Sequence, residues 1–167
     1  QGTINCDQGK GMVNLSSKGN NDMALTKYNE LGDLIWAFNV GADGMLCEPN
    51  CIAVDGADNI YIAGFFGRSG SAGDTMNFNH NSNLKPLITL GGLDAFIAKY
   101  SPLGQLLWVL PLGNKNGTTK ESINDISVER NGNIFATGII SGVIDFDASK
   151  SEKSIIAPDG ITELFVA

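Results

Sequence analysis

The sequence predicts an all-β fold made of tandem antiparallel sheets, and three observations lead to that prediction. Glycine is abundant, with 21 among 167 residues, and the apolar runs between glycines are short, as in chains with many turns. The segment 94–113 has two short apolar runs around a Ser-Pro-Leu-Gly turn, which is typical of a β-hairpin. The same layout occurs earlier at 22–41, at an offset of 72 residues (94 − 22). The chain is therefore predicted to repeat one hairpin-based unit.

The composition is that of a folded, acidic protein, which disfavours negatively charged partners. Hydrophobic residues make up 43% of the chain and charged residues 17%, which favours a packed core over disorder. The net charge of −7 argues against nucleic acid or an anionic membrane surface as a partner. No apolar run approaches the roughly 18 residues of a membrane-spanning helix, so we expect no membrane insertion.

Two hairpins recur with matched residues at their strand ends, turns and centres. The first hairpin, 22–41, is repeated at 94–113, and the second, 51–66, is repeated at 125–140. The matched pairs are Asp22 with Asp94, Tyr28 with Tyr100, Trp36 with Trp108, Gly41 with Gly113, and Gly64 with Gly138. Because a catalytic residue is normally needed once, we interpret these recurrent residues as structural. The aspartates are expected to anchor turns or strand ends, and the tryptophans to pack between sheets.

A third short segment sets the boundaries of the units. Gly2–Asp7 recurs at 74–79 and at 142–147, which defines repeat units 2–73, 74–141 and an incomplete 142–167. Cys6 stands where the other copies have Phe, so we expect a buried, inert thiol there. Each complete unit holds about four strands, and these strands are apolar on both faces. Tandem four-stranded sheets covered on both faces describe the blades of a β-propeller. The chain would hold about two and a third blades, as a fragment of one propeller domain; the alternative is that several chains close a ring together.

The repeated motifs resemble a known repeat family. Asp-x-Phe-x-Ala-Lys-Tyr and Gly-x-Leu-Leu-Trp, with Gly-Asn-Ile-Phe-x-x-Gly and Gly-x-Ile-Asp-Phe-Asp, are similar to the SBBP-type, seven-bladed β-propeller repeat. The form with Asp-Phe-Asp resembles secreted or cell-surface proteins of Bacteroidetes-like bacteria. This resemblance implies a propeller fold and an exported location, but no activity. It also implies that Asp74-Thr75-Met76 matches the short O-glycosylation pattern of such proteins, with Thr75 as the acceptor.

The remaining candidate sites are few. Cys47 and Cys51 lie in a predicted loop, 42–50 and just past it, where a small disulfide is expected in an exported protein; the alternative is two ordinary thiols. Asp55, Asp58 and Asn59 offer oxygen ligands for calcium, whereas no other cofactor is expected. A Ser-His-Asp site would have to use the single histidine, His80, which lies in an Asn-rich segment, so we do not expect such a site.

The sequence thus favours a non-catalytic, extracellular or cell-surface scaffold that displays variable loops. The loops are 42–50, 67–73 and 113–124, and the expected ligand is a protein or a glycan. Two alternatives stay open. One is a subunit of a surface filament or appendage; the other is part of a secreted enzyme whose catalytic residues lie in blades outside this sequence.

Overall fold

The computed structural model describes residues 2–7, 9, 11–80, 86–115, 120–146, 154–156 and 163–166, and all regular structure in these ranges is β. Within them no helix is long and apolar enough to span a bilayer. The fifteen strands are β1 (Thr3–Asn5), β2 (Asn14–Ser16), β3 (Met23–Tyr28), β4 (Leu34–Val40), β5 (Leu46–Val54), β6 (Ile60–Gly67), β7 (Thr75–Met76), β8 (Leu87–Ile88), β9 (Leu93–Tyr100), β10 (Leu106–Leu112), β11 (Ser122–Val128), β12 (Ile134–Ile140), β13 (Val143–Asp145), β14 (Ser154–Ile156) and β15 (Glu163–Val166).

The central element is a four-stranded antiparallel sheet in the order β5-β6-β9-β10. Consecutive strands of this sheet are neighbours in space, as in a meander. The pairing of β6 with β9 runs without a break from Ile60 opposite Tyr100 to Gly67 opposite Leu93. Strands β5 and β6 come from the first predicted repeat unit and β9 and β10 from the second. The boundary at 73/74 therefore lies in the connection between the second and third strands of one sheet.

Two partial sheets flank the central one. The hairpin β3–β4 corresponds by the repeat to β9–β10, and the sheet β11-β12-β15 corresponds to β5-β6-β9. The short hairpins β1–β2, β7–β8 and β13–β14 are the recurrent copies of the Gly2–Asp7 segment with its partner strand. The described residues thus form one complete four-stranded sheet and parts of two others.

Each face of the central sheet packs on a neighbouring sheet, because its middle strand is apolar on both faces. All eight residues of β6 are buried. Ile60 and Ile62 belong to the apolar cluster shared with β3 and β4, whereas Tyr61 and Ala63 belong to the cluster shared with β11 and β12. Burial on both faces is what the non-alternating apolar strands predict. The cores therefore lie between sheets, in a stack.

Four tight turns of one type close the hairpins at one end of the sheets. In each turn the first residue accepts a backbone hydrogen bond from the fourth and donates one to the fifth. The first residues are Asn29, Asp55, Ser101 and Glu129. The fourth residue has a positive φ, which glycine adopts without strain: Gly32 (81°), Gly104 (78°) and Gly132 (91°). Asp58 takes the same place with a φ of 60° and is the non-glycine exception.

Two predicted loops are shorter in the structure than in the sequence analysis. Strand β5 begins at Leu46, so most of the loop 42–50 is strand, and β11 begins at Ser122, inside the loop 113–124. Pro49 and Asn50 suggested a loop, but pairing with β6 extends the strand through them. Proline is tolerated because β5 is an edge strand of its sheet.

Candidate functional site

The most elaborate polar cluster surrounds Asp55, where the β5–β6 turn meets β9. Its Oδ1 accepts hydrogen bonds from the backbone N–H of Ala57 (2.9 Å) and of Asn59 (3.0 Å). Its Oδ2 accepts from the Asn59 Nδ2 (2.9 Å) and from the Tyr61 hydroxyl (3.0 Å). The Lys99 Nζ lies 3.2 Å from the same Oδ2 and 4.7 Å from the centre of the Tyr61 ring. The cluster ties the turn to the third strand of the sheet.

The electrostatics of this cluster favour its charged form. Hydrogen bonds from Asn59 above all, and then from Ala57 and Lys99, hold the pKa of Asp55 far below its usual range. Hydrogen bonding with Tyr61 and pairing with Asp55 raise the pKa of Lys99. The Asp55 side chain is 5% exposed, so the ion pair is largely shielded from water. A shielded ion pair of this kind is suited to holding strands together.

The predicted calcium site at Asp55, Asp58 and Asn59 is not formed. The amide nitrogen of Asn59, not its oxygen, faces Asp55, and Lys99 already occupies the carboxylate. A cation would have to displace these donors, whereas calcium needs several converging oxygens. Asp58 is exposed on the outside of the turn. Among the described residues no group of three or more His, Cys, Asp or Glu is arranged to hold a metal ion.

The predicted Cys47–Cys51 disulfide is also wrong, since both residues are free thiols. Cys47 is buried in the cluster shared with β3 and β4, whereas Cys51 packs against the cluster shared with β11 and β12. Four residues of strand span about 13 Å, well beyond the reach of a disulfide. In addition, the bulge at Asn50 shifts the alternation and turns Cys51 to the other face. Burial raises the pKa of Cys47 to about 12, so this thiol stays protonated.

The recurrent aspartates each hold the chain just before their strand. Asp22 accepts hydrogen bonds from the backbone of Lys18 (2.8 Å) and Gly19 (2.9 Å). Asp94 accepts from the equivalent backbone of Leu90 and from Gly91 (3.1 Å). The recurrent glycines Gly41 and Gly113 lie against these carboxylates, where an added Cβ would come within 2.1 Å of Asp22 and 2.4 Å of Asp94. The Asp–Gly pairs therefore act together as strand-end anchors.

The recurrent tyrosines have equivalent contacts, whereas the tryptophans do not. Tyr28 donates to the carbonyl oxygen of Cys6 and Tyr100 to that of Phe78, each at 2.9 Å. Trp36 donates through Nε1 to the Pro102 carbonyl of the next sheet (3.2 Å), which Lys27 also contacts (3.1 Å). Trp108 contacts Tyr61 edge to face but keeps 39% of its surface exposed.

A bulge in β5, and an equivalent one in β11, is a feature that the sequence analysis missed. Pairing in β5 shifts at Asn50 and pairing in β11 shifts at Asn124, its counterpart 74 residues on (124 − 50). The recurrent glycines Gly64 and Gly138 pair with the residues just before these bulges, which are Pro49 and Ile123. A Cβ at Gly64 would lie 2.0 Å from the Glu48 carbonyl oxygen. The signal available in the sequence was the asparagine found at the same place in both β5 and β11.

Two other candidates have simple surroundings. Thr75 lies on β7 with an exposed side chain, so the predicted glycosylation remains a prediction. His80 stacks on Phe38 with ring centres 3.9 Å apart, and burial lowers its pKa. The neutral imidazole therefore packs against the cluster shared with β3 and β4.

The longer connections gather at the end of the sheets opposite the four tight turns. Arg68, just after β6, donates through Nη2 to the Asp43 carbonyl (2.9 Å) and pairs with Asp74 (3.6 Å). Its backbone N–H donates to the Gly92 carbonyl (3.2 Å). The segments 42–45 and 67–73 therefore meet near this end, and Lys120 and Glu121 contact Leu93 close by; we name these residues the loop rim. Exposed residues there include Asp43, Arg68, Ser69 and Ala72.

Comparison with known proteins gives one distant relative. The chain is 26% identical over 165 residues to an uncharacterized WD repeat-containing protein of Acanthamoeba polyphaga mimivirus, a match covering 96% of this chain. The chain spans about 12% of the length of that relative. No protein-family model matches. Together with the all-β architecture, this similarity supports the predicted fold class of tandem propeller-type sheets; the narrower resemblance to SBBP repeats and to Bacteroidetes-like proteins gains no support.

Proposed function

We propose that the chain is part of a non-catalytic, propeller-type module that binds a protein partner at its loop rim. The observation that carries this proposal is the separation of the two ends of the sheets. One end has four tight turns of a single type, whereas the other has the longer, unequal connections tied together by Arg68. Loops of variable length on a rigid scaffold are where proteins commonly place binding residues. The similarity to a WD repeat-containing protein points to the same class of module.

The narrower parts of the proposal rest on sequence alone. An extracellular or cell-surface location and a scaffolding role follow from the resemblance of the repeats to exported proteins. A glycan is the second candidate ligand, but no specific contact among the described residues favours it over a protein. We propose no catalytic role for the Asp55 cluster, because its carboxylate is occupied by its own donors.

Affinity capture tests the proposal directly. The immobilised chain is exposed to proteins from the source cells and their medium, and retained proteins are identified by mass spectrometry. We expect a partner that is lost in the double variant Ser69→Glu, Ala72→Glu, which adds two charges at exposed positions of the loop rim. The matched control is Leu31→Ala, an 80% exposed position in a tight turn at the opposite end. Equal retention by the loop variant would refute binding at the loop rim.

A further inference from the structure

The loop 67–73 is an ordered projection at the loop rim, and a single residue stands in its place in the second repeat unit. The Arg68 N–H donates to the Gly92 carbonyl of the central sheet (3.2 Å). The Ser71 N–H donates to the Arg68 carbonyl (3.2 Å), which closes a tight turn in which Gly70 has a positive φ of 75°. The loop therefore holds Arg68 at a fixed place beside the sheet.

Lys120 is a second cation of the loop rim and lies close to this loop. It forms a parallel bridge with Leu93, whose carbonyl also accepts the N–H of Glu121 (2.8 Å). The Lys120 Nζ lies 3.5 Å from the centre of the Phe65 ring, which orients the side chain over β6. Lys120 is nevertheless exposed, so its ammonium group is positioned and accessible to a partner.

Both cations lie between sheets that are present on either side of them. Arg68 contacts the loop after β4 through the Asp43 carbonyl (2.9 Å) and the central sheet through Gly92. Lys120 stands at the start of β11 and contacts the central sheet through Leu93. These contacts fix the two side chains without help from any further strand. Their exposure is therefore a property of the loop rim itself.

The exposed charges at this end of the sheets are mostly positive. Arg68 and Lys120 are exposed, and so are Lys18 and Lys115, which lie on the segments that precede β3 and follow β10 at the same end. Asp43 is the one exposed acid among the described residues of the loop rim. An acidic chain thus carries a local excess of cations where its longer connections meet.

The other acidic groups near this end are already engaged or buried. Asp22 and Asp94 each accept hydrogen bonds from the backbone. Asp74 pairs with Arg68 at 3.6 Å, and Glu121 is only 1% exposed. These carboxylates therefore offset little of the positive charge that a partner would meet.

The opposite end of the sheets has the reverse balance. Its tight turns expose Glu30, Asp58 and Glu129, with Arg130 as the exposed cation among their described residues. At physiological salt the Debye length is about 8 Å, so a partner at one end responds to the local charges rather than to the net charge of the chain. The net charge of −7 therefore does not exclude a negatively charged partner at the loop rim.

We propose that the partner bound at the loop rim presents an acidic protein segment, whose carboxylates pair with Arg68 and Lys120. This inference rests on the proposed function and names the chemistry of the partner. The Arg68 Nη2 donates to the Asp43 carbonyl and Nε faces Asp74, whereas Nη1 has no acceptor in the described part of the chain. Nη1 can therefore donate to a carboxylate of the partner, as a charge-assisted hydrogen bond.

A protein segment fits this surface better than a nucleic acid does. A protein that follows a nucleic-acid backbone commonly makes about 6–10 phosphate contacts, which requires a long cationic track. The cations here are few and confined to one end of an acidic molecule. A short run of carboxylates matches their number and their extent.

Fluorescence anisotropy with a labelled glutamate-rich peptide tests the proposal, and the same peptide with glutamine at every glutamate is the control. We expect only the glutamate peptide to bind, with a Kd that rises several-fold between about 0.05 and about 0.5 M NaCl because salt screens the charges. Lys120→Glu should weaken binding about tenfold. Arg130→Glu makes the same charge change at an exposed position of the opposite end and should have no effect.

Lys120→Met separates the charge from the packing, since an unbranched side chain still covers Phe65. It should weaken peptide binding about threefold, as for loss of one charge without its reversal. Urea unfolding of all three variants checks that the fold is kept.

Equal binding of the two peptides would overturn the proposal, and so would equal effects of Lys120→Glu and Arg130→Glu. A DNA oligonucleotide with the same label that binds as tightly as the glutamate peptide would also overturn it. A captured partner that Lys120→Glu retains, but Ser69→Glu, Ala72→Glu loses, would leave binding at the loop rim in place and refute its acidic chemistry. Peptide binding as expected, without any captured partner, would support the chemistry and count against the proposed function.

Discussion

At the scale of single residues, the Asp55 cluster illustrates how a repeat protein uses a residue that does not repeat. The counterparts of Asp55 and Tyr61 are Glu129 and Phe135, so the second copy has neither the short carboxylate nor the hydroxyl. Lys99 is matched by Lys27, which contacts the Pro102 carbonyl instead. One recurrent lysine thus supports two different contacts, depending on the turn that lies beside it.

The depressed pKa of Asp55 makes stability dependent on acid. Because its folded pKa lies below the unfolded value of about 3.9, its contribution is present above that pH and is lost as the pH falls through the folded pKa. We expect Asp55→Asn to be less stable near neutral pH and to lose stability less steeply in acid. Urea unfolding from about pH 6 to about pH 2.5 measures both.

Asp58→Asn is the matched control for this experiment. It makes the same chemical change three residues on, at an exposed position with a positive φ that asparagine also tolerates. We expect the control to keep the acid dependence of the unmodified chain. Equal slopes for Asp55→Asn and the unmodified chain would contradict the role assigned to the cluster.

The cysteines give a second test at this scale. Cys51 is half-buried, whereas Cys47 and Cys6 are buried, and burial raises the pKa of Cys47 to about 12. Alkylation of the folded protein should therefore modify Cys51 first, and the other two only after unfolding. The intact mass should be the same with and without reductant. A mass gain of two hydrogens on reduction would instead show that two of the cysteines form a disulfide.

At the scale of strands and turns, much of the architecture follows from the repeat itself. The hairpins β3–β4 and β9–β10 were predicted because the second copy has a Ser-Pro-Leu-Gly turn between two apolar runs and the first copy has the same layout. The length of β5 was not predicted, because Pro49-Asn50 is typical of a loop and only pairing with β6 makes it a strand. The disulfide was expected in a loop, whereas Cys47 and Cys51 lie on one strand and the bulge between them turns them to opposite faces.

The candidate site was harder to predict than the strands. Asp55 was identified, but its partner Lys99 lies 44 residues away (99 − 55), and no periodic pattern links the two. Asn59 was expected to offer its oxygen to a cation, yet the nearby carboxylate attracts its N–H groups instead. Such choices depend on tertiary contacts that the order of residues does not encode locally.

Two glycine substitutions test the packing of these elements. Gly41→Ala would push a methyl group against Asp22, and Gly64→Ala would push one against the Glu48 carbonyl beside the bulge. We expect each to lower the free energy of unfolding by about 1–3 kcal/mol, as for overpacked sites. Thermal or urea unfolding measures the change. Gly2→Ala, which has open space around it, should be neutral; a neutral Gly64→Ala would mean that the bulge is not held by close contact.

At the scale of the whole molecule, stability depends on joints between sheets as well as on the sheets. The Asn50 carboxamide of the central sheet donates to the Ser122 Oγ (2.8 Å) and to the Ile123 carbonyl (2.7 Å) of β11. Asn50→Ala should therefore cost about 1 kcal/mol, the usual net value of a hydrogen bond. Asn124→Ala changes the equivalent residue of β11, whose side chain has no hydrogen-bonding partner among the described residues, and should be neutral. Equal effects of the two substitutions on urea unfolding would show that the hydrogen bonds from Asn50 to β11 do not stabilise the fold.

The offset between repeat unit and sheet has a consequence for cleavage of the chain. The covalent unit ends at residue 73, but the sheet that surrounds this point takes two strands from each side. A protease cut within 69–72 would separate the units covalently, yet the eight residue pairs between β6 and β9 would still hold them together. The first repeat unit is joined to the second because each contributes two strands to the central sheet. A nicked molecule should therefore migrate as one species under native conditions and as two pieces only after denaturation.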